Sequence, residues 1–263
     1  MHSPSRTTHP DALALGPILE FGMSTFSAPY VLITGASSGI GRATALAFAK
    51  AGYAVGLLGR SEDRLAAVAE SVQNSGGTAH WASIDLEQID PLPGRLASLL
   101  ELWGPPAILV NNAGIAYTGD LATMPLVDLQ RVLNLNLVSL LACIQAVLPG
   151  MRQQQQGLII NVGSIAAHQA FPDWGAYCAS KAAMVSLSKC LAAEERGHGI
   201  RVTVVSPGSV NTPLWDTDTV QADFDRSQML TPEIVADTIL HTALLPPQAV
   251  VEELTLYPSA GAL

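Results

Sequence analysis

A tyrosine and a lysine stand four residues apart in a stretch whose pattern predicts a helix. Residues four apart share one helix face, so the Tyr177 hydroxyl and the Lys181 ammonium can reach the same site. A free tyrosine has a pKa near ~10 and is a poor base at neutral pH, but a nearby positive charge lowers that pKa. The pair can therefore donate a proton to a carbonyl or accept one from an alcohol. The alternative is an ordinary exposed helix face.

Three further polar residues lie where they could support such chemistry. Ser164 follows the apolar run Leu158–Val162, and its hydroxyl can bond a substrate oxygen on which charge develops; a serine there is also an ordinary turn or cap residue. Asn134 and Asn136 interrupt a long apolar helix and point to nearly opposite sides of it. We expect one to point inward, where a buried amide must be hydrogen-bonded, often through water. The alternative for each is a solvent-facing position.

A glycine-rich turn follows the first predicted strand and opens the first predicted helix. It reads Thr34-Gly35-Ala36-Ser37-Ser38-Gly39-Ile40-Gly41. The glycines permit a tight turn and a close backbone approach, and the helix N-terminus offers unpaired N–H groups to a pyrophosphate. The spacing is G-x3-G-x-G rather than G-x-G-x-x-G, and such a turn alone also fits an ordinary strand–helix connection.

The end of the second predicted strand indicates which dinucleotide this turn would hold. An acidic residue there would bond the ribose hydroxyls of NAD, whereas an arginine suits the 2′-phosphate of NADP. The run Leu57–Arg60 contains no carboxylate, and a guanidinium binds phosphate through paired donors. Ser37 can add a hydroxyl. We therefore expect NADP(H) rather than NAD(H), the alternative being that Arg60 pairs with Glu62 or Asp63.

The elements that must position these residues alternate along the chain. Apolar or β-branched runs predict strands, and longer amphipathic stretches predict helices. We expect strands at Tyr30–Thr34, Ala54–Leu58, Thr78–Ser83, Ala107–Val110, Leu158–Val162, Ile200–Val205 and Glu253–Leu256, and helices near Ile40–Ala51, Glu62–Asn74, Gly94–Trp103, Val127–Leu148, Gly175–Arg196 and Pro232–Leu245. This alternation predicts an α/β fold with a doubly wound, mostly parallel sheet of the Rossmann type in a single domain.

The sequence divides at about residue 28. Residues 1–27 are predicted to be a poorly ordered extension, with Met23 a candidate start, and residues 28–263 are the predicted oxidoreductase domain. Within it, residues 213–231 show little periodicity. Because ligands bind beyond the carboxyl ends of the strands in such folds, we interpret this segment as a substrate lid. The alternative is a plain surface loop.

Composition argues against several classes of partner. The net charge is −9, from 13 Lys+Arg and 22 Asp+Glu, and no basic cluster occurs, which disfavours nucleic acid and an anionic membrane surface. The three cysteines have no metal-ligand spacing, so we expect no metal. The most apolar stretch, Val132–Leu148, is interrupted by polar residues and predicts no transmembrane helix. The N-terminus lacks a signal-peptide pattern, and we expect a cytoplasmic protein.

Together these motifs resemble the short-chain dehydrogenase/reductase family, in its branch of about 250 residues with TGxxxGxG and YxxxK motifs. The resemblance runs from about Tyr30 to Leu263. The segment Asn111–Gly114 matches the family's N-N-A-G segment, and Asp85 resembles its adenine-contacting carboxylate. Pro207–Thr212 matches the P-G-x-V-x-T segment that holds the nicotinamide carboxamide. The residues that match the catalytic tetrad in order and spacing are Asn136, Ser164, Tyr177 and Lys181.

The resemblance implies a mechanism in which hydride passes between nicotinamide C4 and a substrate carbon. Tyr177 transfers the proton, while Lys181 lowers the pKa of Tyr177 and binds the nicotinamide ribose. Ser164 positions the substrate oxygen, and Asn136 holds a water that relays protons to Lys181. A homodimer or homotetramer built on the two long helices is also implied. The residues expected to contact the cofactor are Gly35, Ser37, Ser38, Gly39, Ile40, Gly41, Arg60, Asp85, Asn111, Ala113, Gly114, Tyr177, Lys181, Pro207, Gly208, Val210 and Thr212.

We therefore expect an NADP(H)-dependent oxidoreductase that interconverts a carbonyl and a secondary alcohol on a small or medium hydrophobic substrate. A 3-oxoacyl carrier-protein reductase ranks second, because Arg152 alone offers a cation to an acidic carrier at the end of the long helix. A catalytically silent dinucleotide-binding scaffold or sensor is disfavoured by the complete tetrad. The residues expected near an apolar pocket, or else in ordinary packing, are His168, Phe171, Trp174, Leu214 and Trp215.

Overall fold

A computed structural model describes residues 14–15, 26, 28–221 and 225–261 of the chain. Within these residues eight strands form one sheet in the order β1-β4-β3-β2-β5-β6-β7-β8. Strands β2 to β8 are parallel, and the two-residue β1 is antiparallel to β4. The strands are β1 Ala14–Leu15, β2 Tyr30–Thr34, β3 Ala54–Gly59, β4 Ala79–Ser83, β5 Ile108–Asn111, β6 Gly157–Val162, β7 Ile200–Pro207 and β8 Glu253–Leu256. The predicted Rossmann-type parallel sheet is confirmed.

Helices cover both faces of this sheet. They are α1 Gly39–Lys50, α2 Glu62–Asn74, α3 Leu92–Trp103, α4 Leu126–Leu133, α5 Ser139–Gln154, α6 Gly175–Glu195 and α7 Pro232–Ala243. Alternate residues of β2 enter the two cores: Leu32 packs with α3, α5 and α6, whereas Val31 and Ile33 pack with α1, α2 and α7. Burial on both faces explains why the central strands are apolar throughout.

Part of the N-terminal segment belongs to the fold. The prediction of poor order for residues 1–27 falls largely outside the described residues, but Ala14–Leu15 pairs with β4. Phe26 is buried, and its ring stacks on Tyr30 with centroids 4.0 Å apart. The same ring meets Trp103 edge-on at 5.5 Å. This aromatic cluster lies at the start of β2, so the folded pattern extends to residues before the predicted boundary at 28.

The long helix predicted at Val127–Leu148 is interrupted by a π-helical turn. Helix α4 passes into the π turn Asn134–Val138, which continues into α5. A π turn accommodates an extra residue and is frequent at functional sites. Here it brings Asn136 into the interior, while Asn134 stays at the surface side and accepts a hydrogen bond from Gln130. The expectation that one asparagine points inward is confirmed.

The same helical stretch is apolar enough to resemble a membrane span. The range 126–154 has a mean hydropathy of 1.8 in its most apolar window, and 44% of that window is buried inside the protein. This finding differs from the sequence expectation, which rested on the polar interruptions. The α5 segment packs against α3, β5 and β6. Helices that pack in a protein core can be as long and as apolar as a membrane-spanning helix.

Candidate functional site

A cavity of about 430 Å³ opens at the carboxyl edge of the sheet. The strand order reverses there between β2 and β5, which is where doubly wound folds bind ligands. The predicted site residues that line it are Gly35, Ser37, Ser38, Gly39, Ile40, Arg60, Asp85, Ala113, Gly114, Ser164, Tyr177, Lys181, Pro207, Gly208, Val210 and Thr212. Three predicted residues do not line it: Gly41, Asn111 and Asn136. The fold therefore brings most of the separated motifs to one cavity.

The glycine-rich turn packs too tightly to carry side chains at its key positions. Gly35 and Gly39 have φ values of +65° and +51°, which L side chains rarely adopt. A Cβ on Gly41 would lie 2.3 Å from the Gly35 carbonyl oxygen. Gly41 thus serves the packing of α1 against the turn rather than a direct contact with the cavity.

The start of α1 is arranged to receive an anion. Ser38 at the N-cap makes no side-chain capping bond, and no acidic residue lies in the first turn. The N–H groups at a helix N-terminus carry partial positive charge, and they need a partner from outside the helix. Since the turn borders the cavity, a phosphate lying there would satisfy them.

The two asparagines after β5 have different roles. Asn112 donates to the carbonyl oxygens of Thr34 and Gly35 at 3.0 and 3.2 Å, which ties β5 to the glycine-rich turn. Asn111 is buried behind the cavity, and its amide donates to Asn161 at 2.9 Å. The Asn111 side chain therefore joins β5 to β6 and does not line the cavity, and its predicted contact with a cofactor stays a prediction.

Tyr177 and Lys181 line the same end of the cavity, as their spacing predicted. The Lys181 ammonium donates to the Val162 carbonyl oxygen at 2.8 Å and lies 5.7 Å from the centroid of the Tyr177 ring. Burial lowers the pKa of Lys181 to about 8. Burial also raises the pKa of Tyr177 to about 12, although a hydrogen bond with Ser164 opposes this rise.

Burial of the side chain sets the direction of the Tyr177 shift. The lowering of this pKa by the charge of Lys181 together with that of an oxidised nicotinamide stays a prediction. The protein groups by themselves therefore keep Tyr177 protonated at neutral pH. In this state the side chain is a proton donor.

Ser164 fills both of the roles considered for it. Its hydroxyl accepts a hydrogen bond from the Ala166 N–H at 3.1 Å and so caps the short 3-10 helix Ile165–Ala167. The same side chain bonds Tyr177 and lines the cavity. The cap thus orients a hydroxyl that faces the reacting end of the site.

Asn136 is buried behind the cavity, and its side chain connects the backbone at Ile115 to helix α6. Its amide oxygen accepts from the Ile115 N–H at 2.9 Å, and its amide nitrogen donates to the Ile115 carbonyl oxygen and the Ser180 hydroxyl at 2.9 and 3.0 Å. Both amide N–H donors are therefore used within the chain. A Cβ on Gly114 would lie 3.1 Å from the Asn136 oxygen and 3.7 Å from the Lys181 ammonium. The side chain fixes this corner, and the expected water relay cannot use its amide N–H groups.

The end of the cavity beside Tyr177 is largely aromatic. Phe171, Trp174, Leu214 and Trp215 line it, as expected. The Trp174 ring meets the rings of Tyr177 and Trp215 edge-on, each at 5.6 Å between centroids. His168 does not line the cavity, because the 3-10 helix after Ser164 turns it towards β8, where its imidazole contacts Glu253.

Hydrogen bonds and an ion pair hold the segment 213–231, interpreted as a lid, at the opening of the cavity. Thr219 accepts a hydrogen bond from the Thr118 N–H at 2.8 Å and donates one to the Ala116 carbonyl oxygen at 2.8 Å. Arg226 donates to the Thr212 carbonyl oxygen at 2.9 Å and pairs with Asp216 at 2.6 Å. Residues 222–224 lie outside the described residues. The segment supplies Leu214 and Trp215, so it forms part of the wall beside Tyr177.

The opposite end of the cavity carries two arginines. Arg60 and Arg64 both line it, together with Ser37. Arg60 does not pair with its sequence neighbours Glu62 or Asp63; its guanidinium contacts Glu87 at 2.7 Å. Asp85 also lines this end and accepts a hydrogen bond from the Glu87 N–H at 3.1 Å.

Sequence reasoning missed several residues that line the cavity. Ser61 and Arg64 lie there, at the N-cap and in the first turn of α2. The available signal was their position, since Ser61 and Arg64 directly follow Arg60 at the carboxyl end of β3, the edge at which such folds bind ligands. Ser209 also lines the cavity, and it lies inside the matched P-G-x-V-x-T segment. Within the described residues no group of three or more His, Cys, Asp or Glu side chains could hold a metal ion.

These features fit a dinucleotide. One cavity joins two guanidinium groups, a helix N-terminus without a cap, and the Tyr177–Lys181 pair. In that order they match the adenosine end, the pyrophosphate and the reactive ring of a dinucleotide, with a proton donor beside the ring. The groups that suit these three parts of a dinucleotide therefore line one continuous cavity, which is called the cleft below.

Comparisons with known proteins agree with this geometry. The sequence model of the family described as short chain dehydrogenase matches residues 29–222. Over 220 residues the chain is 37% identical to a protein of Mycobacterium bovis described as an uncharacterized oxidoreductase, covering 80% of this chain and 64% of that protein. The chain thus spans a little under two thirds of that relative's length.

Two solved structures are similar over most of both chains. One is an alcohol dehydrogenase from the archaeon Thermococcus sibiricus complexed with 5-hydroxy-NADP, with a TM-score of 0.81, 27% identity, and coverage of 89% of this chain and 98% of that one. The other is a metagenomic short-chain oxidoreductase in complex with NADP, with a TM-score of 0.76, 30% identity, and coverage of 88% and 97%.

Proposed function

The chain belongs to the short-chain dehydrogenase family, and from that premise we propose that it is an NADP(H)-dependent oxidoreductase interconverting a carbonyl and a secondary alcohol on a small or medium hydrophobic substrate. The observation that carries the proposal is the meeting of Tyr177, Ser164 and Lys181 at one end of a cleft whose other end carries Arg60 and Arg64. A reactive substrate and a dinucleotide can lie there side by side.

The proton chemistry rests on the positions of the polar groups at this end of the cleft. The Tyr177 hydroxyl, whose pKa burial raises to about 12, is protonated at neutral pH, as an ordinary tyrosine is, and it can donate to a carbonyl oxygen being reduced. Ser164 offers a hydroxyl to the same oxygen as negative charge develops on it. Lys181, held by the Val162 carbonyl oxygen, presents its remaining N–H donors towards the cleft. A bound nicotinamide would supply or accept the hydride.

The hydrophobic substrate class rests on the walls beside Tyr177. Aromatic and aliphatic side chains from the segment after Ser164 and from the 213–231 segment form this part of the cleft, namely Phe171, Trp174, Leu214 and Trp215. Sites of this kind bind ligands mainly by removing apolar surface from water, with a few polar groups fixing the orientation. Here those polar groups are the Tyr177 and Ser164 hydroxyls.

The NADP(H) preference rests on the arginine end of the cleft. Arg60, Arg64 and Ser37 provide two guanidinium groups and a hydroxyl, which suit a phosphate. Neither Gly59 nor Arg60 at the end of β3 offers a carboxylate for ribose hydroxyls. The two similar solved structures were obtained with NADP or a derivative of it, which supports the same preference.

The test compares two tyrosine variants in an NADPH-consumption assay with a reactive diketone. We expect Tyr177→Phe to be at least about 100-fold slower than the wild type, because a positioned general acid contributes on the order of 10²–10⁴ in rate. Tyr53→Phe is the matched control, since Tyr53 packs against Phe48 away from the cleft. Equal rates for wild type and Tyr177→Phe would overturn the proton role. A wild type that binds NADPH yet reduces no carbonyl would favour the silent scaffold.

A further inference from the structure

One carboxylate joins two arginines at the phosphate end of the cleft. Glu87 contacts the Arg60 guanidinium at 2.7 Å. On its other side Glu87 receives two hydrogen bonds from Arg131 of α4, at 2.7 and 3.2 Å. Only Arg60 of this triad lines the cleft. The triad therefore connects the phosphate end of the cleft to a residue outside it.

Glu87 opposes the charge that a 2′-phosphate requires. Its side chain is only 18% exposed, so water screens its charge less than at an open surface. Alone with Arg60 it would form a neutral pair, and the guanidinium charge would no longer favour an incoming dianion. A carboxylate next to a phosphate also repels it.

Arg131 is the stronger partner of this carboxylate. It forms the two-bond pair, whereas Arg60 contributes one bond through a single terminal nitrogen. The Arg131 hydrogen bond is the largest cause of the lowered pKa of Glu87, ahead of the charge of Arg60. With Arg131 present the triad has a net charge of +1.

The outer edge of Arg60 remains directed to the cleft. Its side chain is 57% exposed, and a guanidinium has five N–H donors in a planar fork. One terminal nitrogen is bonded to Glu87, which fixes the plane of the group. Ser37 and Arg64 line the same end and complete a set of phosphate donors.

We propose that Arg131 is a positioning residue for cofactor preference: by pairing with Glu87 it neutralises that carboxylate, so that Arg60 is held in place with its charge available to a 2′-phosphate. The inference rests on the NADP(H) preference proposed above. It assigns to α4 a role in selecting the cofactor without touching it. Since the π turn that carries Asn136 follows α4 directly, the same helix supports both ends of the cleft.

The experiment measures binding of two adenosine probes by calorimetry, without any turnover. Adenosine 2′,5′-bisphosphate carries the 2′-phosphate, and 5′-AMP lacks it. We expect Arg131→Gln to weaken binding of the bisphosphate at least about tenfold, because an uncompensated charge near a partly buried phosphate site changes affinity by roughly this factor. The affinity for 5′-AMP should change less than about twofold.

Rescue separates the electrostatic role from a merely structural one. In the double variant Glu87→Gln/Arg131→Gln the opposing carboxylate is gone, and the ratio of the two affinities should return to within about threefold of the wild type. Arg196→Gln is the matched control: it removes an exposed arginine from its pair with Glu252, away from the cleft, and should leave both affinities unchanged.

The outcomes distinguish the inference from the function on which it rests. A wild type with equal affinity for the two probes would overturn the NADP(H) preference itself. A wild type that prefers the bisphosphate, together with an Arg131→Gln variant of unchanged preference, would overturn only the role of Arg131. Equal loss of both probes in Arg131→Gln, with no rescue in the double variant, would show a structural role and also reject the inference.

Discussion

Burial acts on Tyr177 and Lys181 in opposite senses. It raises the pKa of the tyrosine to about 12 and lowers that of the lysine to about 8, because in each case the neutral form is favoured. A neutral tyrosine is the form that donates a proton to a carbonyl. Folding disfavours the charged form of the lysine, because burial removes its ammonium group from water.

This view predicts how stability depends on pH. The pKa of Lys181 falls from 10.5 to about 8 on folding, so between these values the unfolded chain binds a proton that the folded chain does not. The free energy of unfolding therefore rises with pH across this window. We expect wild type to gain roughly 2–3 kcal/mol relative to Lys181→Met between pH 7.5 and 10.5, from about 1.4 kcal/mol per pKa unit. Urea unfolding at several pH values measures it.

The comparison with a variant removes the contribution of other titrating groups. Lys50→Met, at the exposed end of α1, is the control for the loss of a lysine at the surface. A constant difference between wild type and Lys181→Met over the same range would mean that Lys181 keeps its ordinary pKa in the folded protein.

The identities of the site residues could be predicted from the sequence, but several of their partners could not. Spacing alone placed Tyr177 and Lys181 on one helix face. For Arg60 the sequence offers only its neighbours Glu62 and Asp63 as alternative partners, because spacing along the chain reveals local pairs alone. Glu87 lies 27 residues further on and reaches Arg60 through the pairing of β3 with β4. The outward turn of His168 likewise depends on where β8 lies.

At the scale of elements, strands were predicted closely and helix irregularities were not. The bounds of β2 and β8 agree with the prediction to the residue. In β2 the apolar run ends where burial ends, whereas β8 is only partly buried. The sequence predicts ordinary helix over the π turn Asn134–Val138, because one extra residue in a turn leaves the apolar pattern almost unchanged. Strand β1 has only two residues and carries no pattern to detect.

The close packing of α1 against the glycine-rich turn predicts the effect of a substitution at Gly41. In Gly41→Ala the new methyl would lie 2.3 Å from the Gly35 carbonyl oxygen, so α1 must move away from the turn. We expect NADPH affinity to fall at least about tenfold and stability to fall by roughly 1–3 kcal/mol, as for overpacking in a tight site. Fluorescence titration and thermal unfolding measure the two effects.

A second glycine in a helix supplies the matched control. Gly94 lies in α3, and a Cβ there would meet nothing within 4 Å. Gly94→Ala should stabilise the protein by up to about 1 kcal/mol and leave NADPH affinity unchanged, because alanine is the better helix former. If Gly41→Ala binds NADPH as tightly as Gly94→Ala, the turn does not approach the cofactor closely.

In the whole molecule, part of the apolar surface of the long helical stretch 126–154, which carries Asn136, remains exposed to solvent. The most apolar part of this stretch has a mean hydropathy of 1.8, but only 44% of that part is buried inside the protein. Leu126 and Val127 at its start are strongly exposed, and Val138 is exposed at the π turn. Exposed apolar residues along one helix are a feature that protein interfaces share.

We propose that this face is covered by a second copy of the chain, in a homodimer or homotetramer. A helix that is polar enough to carry Arg131 and Asn134 on its surface fits a protein interface better than lipid, in which such groups are costly.

Light scattering should give a mass of two or four chains for the wild type. Val127→Glu/Val138→Glu should reduce that mass, since it places two like charges on each copy of a self-complementary surface. Leu244→Glu, exposed at the end of α7, is the control and should not change it. A monomeric wild type, or one that binds to lipid vesicles through this face, would reject the proposal.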